Sequence, residues 1–177
     1  AVFGAGVEAK GSYSKADVAE IIERARGLNI DVLPEFEIPA HSLGLCRLCP
    51  NIRDAQDTGS EMSVQGYTKN VMNPAKSETW ELIENIIQEL SQIFPYEIIH
   101  LGGDELPDNT WAGSPLITAL KAQENLKTSN DILAWTIAKA GKIAGHNARR
   151  YAAWEECIHG QSGGMHNDAL IFSWTGT

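Results

Sequence analysis

Segments with helical period alternate with short apolar runs rich in β-branched residues, and the alternation repeats along the whole chain. Ser14 and Asp17 have the form of a helix cap with an acidic third residue. Val18, Ile21, Ile22 and Ala25 then recur at helical spacing before Gly27, which predicts a helix over 15–26. The run NIDVLPEFEIP follows at once and ends in acids and prolines, the pattern of a buried strand running into a loop. Ser77 is expected to cap a second helix, with Trp80, Ile83, Ile86, Ile87, Leu90 and Phe94 as its apolar stripe and Pro95 stopping it ahead of the strand YEIIHL. SPLITALKAQ, with Pro115 in its first turn, and SNDILAWTIAKAGKIAG, with Gly145 expected just after its end, supply two more helices before the strand RRYAAW. A short helix between 157 and 166 and a last strand, ALIFSW at 169–174, complete the pattern. Strands that alternate with helices in this way require a parallel sheet covered by helices.

Two α/β architectures satisfy that requirement, the doubly wound sheet and the (β/α)8 barrel. No GxGxxG or GxxxxGK[ST] follows a strand, which weakens the nucleotide-binding version. Acidic and aromatic residues sit instead at the expected strand ends: Glu35 and Glu37, Asp104 and Glu105, Trp154 and Glu155, and Trp174. That distribution favours the TIM-barrel type, whose chemistry lies at the C-terminal ends of the strands. A closed barrel needs eight strands and about 200 residues at the least. This chain of 177 residues offers four, so the expectation is a partial barrel belonging to a longer protein.

Composition removes some functions. Fourteen Lys and Arg against 23 Asp and Glu give a net charge of −9, which repels a phosphate backbone and an anionic membrane surface; neither nucleic acid nor membrane is an expected partner. No apolar run approaches the roughly 18 residues of a membrane span. Three cysteines are too few and odd in number for a disulfide scaffold. The CRLC spacing of Cys46 and Cys49 leaves half of a zinc site, a redox pair, a local disulfide and plain thiols as readings. Residues 40–75 are rich in Gly, Asn, Asp, Ser and Pro without a sustained period and read as one long loop, a kind of segment that usually serves function.

The tetrapeptide GGDE at 102–105 follows a strand-like run directly. Two carboxylates held in one cleft cannot both ionise at their reference values, so one becomes a proton donor while its neighbour stays charged. An adjacent Asp and Glu after a strand is also how a solvated loop begins. The context favours chemistry: Glu35 and Glu37 stand two apart on the preceding strand and point to one side, and His41 follows on a proline-containing turn. A barrel brings neighbouring strand ends together, which would set His41 and Glu37 beside Asp104 and Glu105. Trp154 and Trp174 lie at strand ends, where an indole can stack on a sugar ring as well as pack in a core; Trp80 and Trp135, inside expected helices, read as packing residues.

VLPEFEIPAHS at 32–42, NVMNP at 70–74, LSQIFP at 90–95, HLGGDE at 100–105, Trp111 six residues past Glu105, AAWEE at 152–156 and FSWTG at 172–176 together resemble the family 20 glycoside hydrolases, the β-N-acetylhexosaminidases. Order and spacing agree across nearly the whole chain, and the joint match maps to about strands 3 to 6 of that family's (β/α)8 barrel. The resemblance implies that residues 1–177 are part of one catalytic domain. It also implies retaining hydrolysis of a terminal N-acetylglucosamine or N-acetylgalactosamine in which the substrate's own 2-acetamido oxygen attacks the anomeric carbon, an exception to the two-carboxylate scheme. Glu105 would be the general acid and then base, and Asp104 would orient the acetamido group and stabilise its positive charge. Trp154 and Trp174 would wall the sugar site, with His41 and Glu37 supporting the acidic pair. No metal or cofactor is implied, and the family setting is secreted, periplasmic or lysosomal.

The chain departs from the family pattern in two places, with Glu37 where Asp is usual and Ala40 where Gly is usual. The family's first-strand arginine, seventh-strand tyrosine and last-strand Trp and acid have no counterpart among these residues, so the 177 residues alone are expected to be inactive. Two other classes of function compete. One is a non-catalytic carbohydrate-binding half barrel whose open sheet edges pair with a second copy as a homodimer. The other is a hydrolytic metal site built from His41, His100, Asp104 and Glu105, although no HxH or HExxH spacing is present.

Overall fold

The structure is a computed structural model that describes residues 11–57, 62, 63, 66, 68, 70–160 and 169–174. Helix α1 (Lys15–Arg26) starts from a capping box: Ser14 accepts the Asp17 N–H at 3.1 Å and the Asp17 carboxylate accepts the Ser14 N–H at 2.7 Å. Strand β1 spans Glu35–Ile38, so Glu35 opens the strand instead of ending it. The apolar run ahead of it, broken by Pro34, reaches the sheet only through the Pro34 carbonyl, which accepts the His100 N–H at 2.9 Å. The region read as one loop contains helix α2 (Leu43–Leu48) and a 3-10 turn at Pro50–Ile52. Neither has enough residues to show a period.

Helix α3 (Ser77–Ile93) is capped by Lys76, with extended backbone, while Ser77 is its first helical residue; the sequence-based expectation of a Ser77 cap is therefore corrected. The Ser77 hydroxyl turns to the Glu78 carboxylate at 3.1 Å instead of back to the helix N–H groups. Strand β2 is Ile98–Gly102, and helix α4 (Pro115–Glu124) begins with Ser114 accepting the Ile117 N–H and ends at Asn125 in the left-handed region, φ 55°. Helix α5 (Ser129–His146) has a second capping box, Thr128 with Asp131, and runs through Gly145 to a cap at Asn147. Gly145 was expected to end it, but its neighbours keep helical hydrogen bonds, and Asn147 performs the closure. Strand β3 (Arg150–Trp154) leads into a 3-10 turn at Glu155–Ile158, and β4 is Leu170–Phe172; most of the short helix expected over 157–166 lies outside the described residues.

The four strands form one sheet in the order β1-β2-β3-β4, parallel at every pair. Alternation sorts their side chains onto two faces. Phe36, Ile38, Ile99, Leu101, Tyr151 and Ala153 pack with Ile83 and Ile87 of α3 and Leu133, Ile137, Ala140 and Ala144 of α5 in one core. The opposite face carries Glu35, His100, Trp154 and Phe172, whose cross-strand registers are Glu35 to His100 and Trp154 to Phe172. A parallel sheet with its helices on one face and polar and aromatic groups on the other is the wall of a barrel, whereas a doubly wound sheet is covered on both. A second cluster, with Ala40, Val71, Trp111, Ile117, Leu120 and Ile132, anchors the loops beyond the strand ends. Trp80 and Trp135 meet edge to face at 5.6 Å among the helices, with Lys139 Nζ 3.9 Å from the Trp80 ring centre.

Candidate active site

The turn after β2 depends on its glycines. Gly102 and Gly103 have φ of 69° and 92°, values that disfavour any side chain. A Cβ at Gly102 would collide with the Glu37 carboxyl, and one at Gly103 would lie 3.1 Å from Ile137 Cδ1. The missing side chains let β2 end flush against its neighbours, so that Glu37 lies across the backbone just before Asp104. Glu105 follows in the left-handed region at φ 47°, a conformation that costs a non-glycine residue roughly 1–2 kcal/mol.

The turn after β1 meets it from the side. His41 is also left-handed, φ 51°, so the special position of this turn is 41 and not 40, and Ala40 fits where the family usually has Gly. Ser42 Oγ donates to the Ala40 carbonyl at 2.9 Å, and the Met72 N–H donates to the Pro39 carbonyl at 2.9 Å. These bonds hold His41 with Nε2 3.2 Å from Glu105 Oε2 and 3.5 Å from Asp104 Oδ2. The side chains of His41, Asp104 and Glu105 are 9%, 15% and 29% exposed, so the cluster is sheltered and still reachable.

Charge is distributed unevenly in this cluster. Burial, and then the Asp104 charge, push the Glu37 carboxyl up to about 9, so it is a neutral acid in contact with an anion. Burial alone would raise Asp104 too, but hydrogen bonds from His41 and Glu37 outweigh it and hold Asp104 below its usual value. The Asp104 hydrogen bond raises His41 above the ordinary histidine range against its burial. Glu37 Oε2 and Asp104 Oδ1 are buried and have no donor among the described residues, which a proton carried on Glu37 resolves.

Trp154 and Trp174 are placed differently from these four residues. Trp154 Nε1 donates to Glu35 Oε1 at 3.0 Å, and its ring packs against His100 at 4.7 Å and Phe172 at 6.0 Å. Trp174 is tied by its main-chain N–H to the Glu155 carboxylate at 3.2 Å and by Nε1 to Glu156 at 3.3 Å, leaving the indole half exposed. Sequence reasoning noted Glu155 only as an acid at a strand end and His100 only as a possible metal ligand; both are buried beside the residues described here. It had no signal for Asp54, whose carboxylate accepts from Asn73 at 2.5 Å and from Ser114 Oγ. Together with the Trp111 Nε1 bond to the Met72 carbonyl at 3.1 Å, this ties the segment after Glu105 to NVMNP.

Among the described residues, one trio could hold a cation: ligand atoms of His41, Asp104 and Glu105 lie within 4.8 Å of one another. His100, the fourth ligand considered from sequence, has its Nδ1 3.1 Å from Glu35 Oε1 instead. The cysteines carry no bond, and burial pushes the Cys46 thiol up to about 11, which makes it a poor nucleophile. Clefts of about 460 and 710 Å³ lie against α1, lined by residues such as Arg26, Tyr96 and Leu28, not against the acidic pair. No helix among the described residues is long and apolar enough to cross a membrane.

The arrangement of strand ends has counterparts. A β-hexosaminidase of Vibrio furnissii is 32% identical over 165 residues, covering 93% of this chain and 27% of that protein. The mouse β-hexosaminidase subunit alpha is 30% identical over 144 residues, covering 81% of this chain and 27% of that one. Among solved structures, the GH20 exo-β-N-acetylglucosaminidase of Vibrio harveyi in complex with N-acetylglucosamine superposes with a TM-score of 0.81 at 29% identity, over 92% of this chain and 25% of that one. The β-N-acetylhexosaminidase of Bacteroides fragilis also gives 0.81, at 27% identity, over 97% and 33%. The chain thus spans about a quarter to a third of the proteins it matches, and its fold is of their TIM-barrel type. The pattern of the glycosyl hydrolase family 20 catalytic domain matches residues 3–177, and the chain belongs to that family.

Proposed function

We propose that these residues are part of one (β/α)8 catalytic domain in a longer protein, contributing about strands 3 to 6, and that this protein is a β-N-acetylhexosaminidase. Its substrate is an oligosaccharide or glycoconjugate with a terminal non-reducing N-acetylglucosamine or N-acetylgalactosamine. The observation that carries the reading is the convergence of His41, Glu105, Asp104 and Glu37 at two neighbouring strand ends, with His41 within 3.5 Å of both members of the acidic pair.

Glu105 donates its proton to the glycosidic oxygen while the acetamido carbonyl oxygen of the sugar bonds to the anomeric carbon and the glycosidic bond breaks. Asp104, held ionised, accepts the acetamido N–H and offsets the positive charge that spreads over the new five-membered ring. Glu105 then takes a proton from water, whose oxygen attacks the same carbon and opens the ring. His41 steers Glu105 between these steps, and neutral Glu37 donates to Asp104 so that one negative charge, not two, faces the sugar. Trp154 and the exposed Trp174 indole line the sugar's apolar face. Family resemblance also supports a secreted, periplasmic or lysosomal setting, which fractionation of the source cells tests.

In the full-length protein, Glu105→Gln abolishes chromophore release from an aryl N-acetylglucosaminide, and Asp104→Asn lowers kcat by about 100- to 1,000-fold. An unchanged rate in Glu105→Gln overturns the role assignment. The His41, Asp104 and Glu105 trio also admits a metal-assisted hydrolase; one tightly bound metal per chain by elemental analysis, with activity lost on chelation, would favour that reading instead.

A further inference from the structure

His100 is 2% exposed in the middle of β2 and takes no part in the proton transfers above. Its Nδ1 accepts the N–H of Gly102 at 3.1 Å, a bond that steps over Leu101 and fixes the strand end from which the Gly-Gly turn departs. That turn aims Asp104 and Glu105, and its two glycines take dihedrals that a side chain would disfavour. To accept, Nδ1 must offer its lone pair, which in the neutral ring puts the proton on Nε2, a buried atom with no acceptor among the described residues. Burial favours that state and lowers the His100 pKa, against the charges of Glu35 and Asp104.

The same Nδ1 stands 3.1 Å from Glu35 Oε1, the oxygen that also accepts the Trp154 indole N–H at 3.0 Å. A proton on Nδ1 converts it from an acceptor for Gly102 into a donor to Glu35, and one nitrogen cannot be both. Ring edges of Trp154 at 4.7 Å and Phe172 at 5.1 Å confine the imidazole, so it cannot swing aside to serve both partners. The charged groups that face it are Glu35 from β1 and Asp104 from the turn after β2; β3 and β4 present the uncharged Trp154 and Phe172.

We propose that His100 is a positioning residue: neutral, it anchors Gly102 and thereby sets where Asp104 and Glu105 point, and protonated on Nδ1, it donates to Glu35 from the same place and releases the turn. The proposal rests on the functional reading above for its effect on rate, but not for the hydrogen bond. Two variants of the full-length protein separate them. His100→Asn keeps an acceptor near the Nδ1 position and cannot titrate, whereas His100→Leu removes the acceptor. Hydrogen exchange of peptides covering 100–106 is expected to speed up in His100→Leu and to stay near the wild-type rate in His100→Asn. On an aryl N-acetylglucosaminide, His100→Leu is expected to lose about 100-fold in kcat with little change in KM. His100→Asn recovers most of that loss, and the acid limb of its kcat profile moves to lower pH. Equal exchange in the two variants, equal kcat losses, or an acid limb unmoved in His100→Asn would overturn the proposal; should His100→Leu not fold, the acid limb of His100→Asn decides. A wild-type protein without turnover defeats the hexosaminidase reading instead, and the exchange comparison still decides whether His100 holds the turn.

Discussion

Asp104 and Glu37 form a pair of carboxyls that carry one negative charge between them, because burial makes a second charge costly. The consequence for stability has a definite sign. Glu37 binds its proton up to about pH 9 when folded, against an ordinary glutamate value of 4.5 when unfolded. Between those values the folded state holds a proton that the unfolded state has lost, so the Glu37 contribution to stability falls as pH rises across that window. Glu37→Gln, neutral at every pH, is expected to gain stability relative to wild type steadily from pH 5 to 9, as read from urea midpoints of the full-length protein at several pH values. Parallel curves would mean that Glu37 ionises without cost. The departure from the family's usual Asp fits this site: the longer side chain reaches over Gly102, where a Cβ would collide with it. Two glycines before an acidic pair are plain in the sequence, but that they make room for a glutamate from another strand is not, since that contact joins residues 65 positions apart in the numbering 37 and 102.

Elements were legible where local physics decides them. The box of Ser14 with Asp17 marks the start of α1, Pro115 the start of α4, and the stripe of α3 its buried face, because each signal is contained within a turn or two. Gly145 misled because glycine inside a helix and glycine closing one look alike in a sequence. The sheet contact of α5 shows a related limit at Gly141, whose Cβ position is filled by the Tyr151 ring of β3. Helix propensity favours alanine there by about 1 kcal/mol. Overpacking against a buried ring costs about 1–3 kcal/mol, so Gly141→Ala is expected to lower the melting temperature despite the better helix former. A raised melting temperature would show that Tyr151 moves aside freely.

At the scale of the whole chain, the described sheet ends at β1 on one side and β4 on the other, its face away from α3 and α5 bears Trp154 and Phe172, and the indole of Trp174, past the end of β4, is exposed. Helix α1 has no buried residue, and its Ile21 and the following Leu28 and Ile30 are exposed. Apolar surface and unpaired strand edges of this kind drive association. Expressed alone, residues 1–177 are expected to self-associate with increasing concentration in sedimentation experiments and to show no hydrolysis. A monodisperse monomer would mean that residues outside those described cover these surfaces.

The amino-acid sequence by itself determined the alternation of helix and strand, the parallel sheet and the family, because periodicity, caps and motif spacing are local or serial properties of a chain. Only the tertiary structure decided that one imidazole nitrogen serves either Gly102 or Glu35, that Glu37 carries a proton for Asp104, and that the indoles of Trp154 and Trp174 are tied to Glu35 and Glu156. Those outcomes depend on distances of about 3 Å between strands, where burial sets which group keeps its proton.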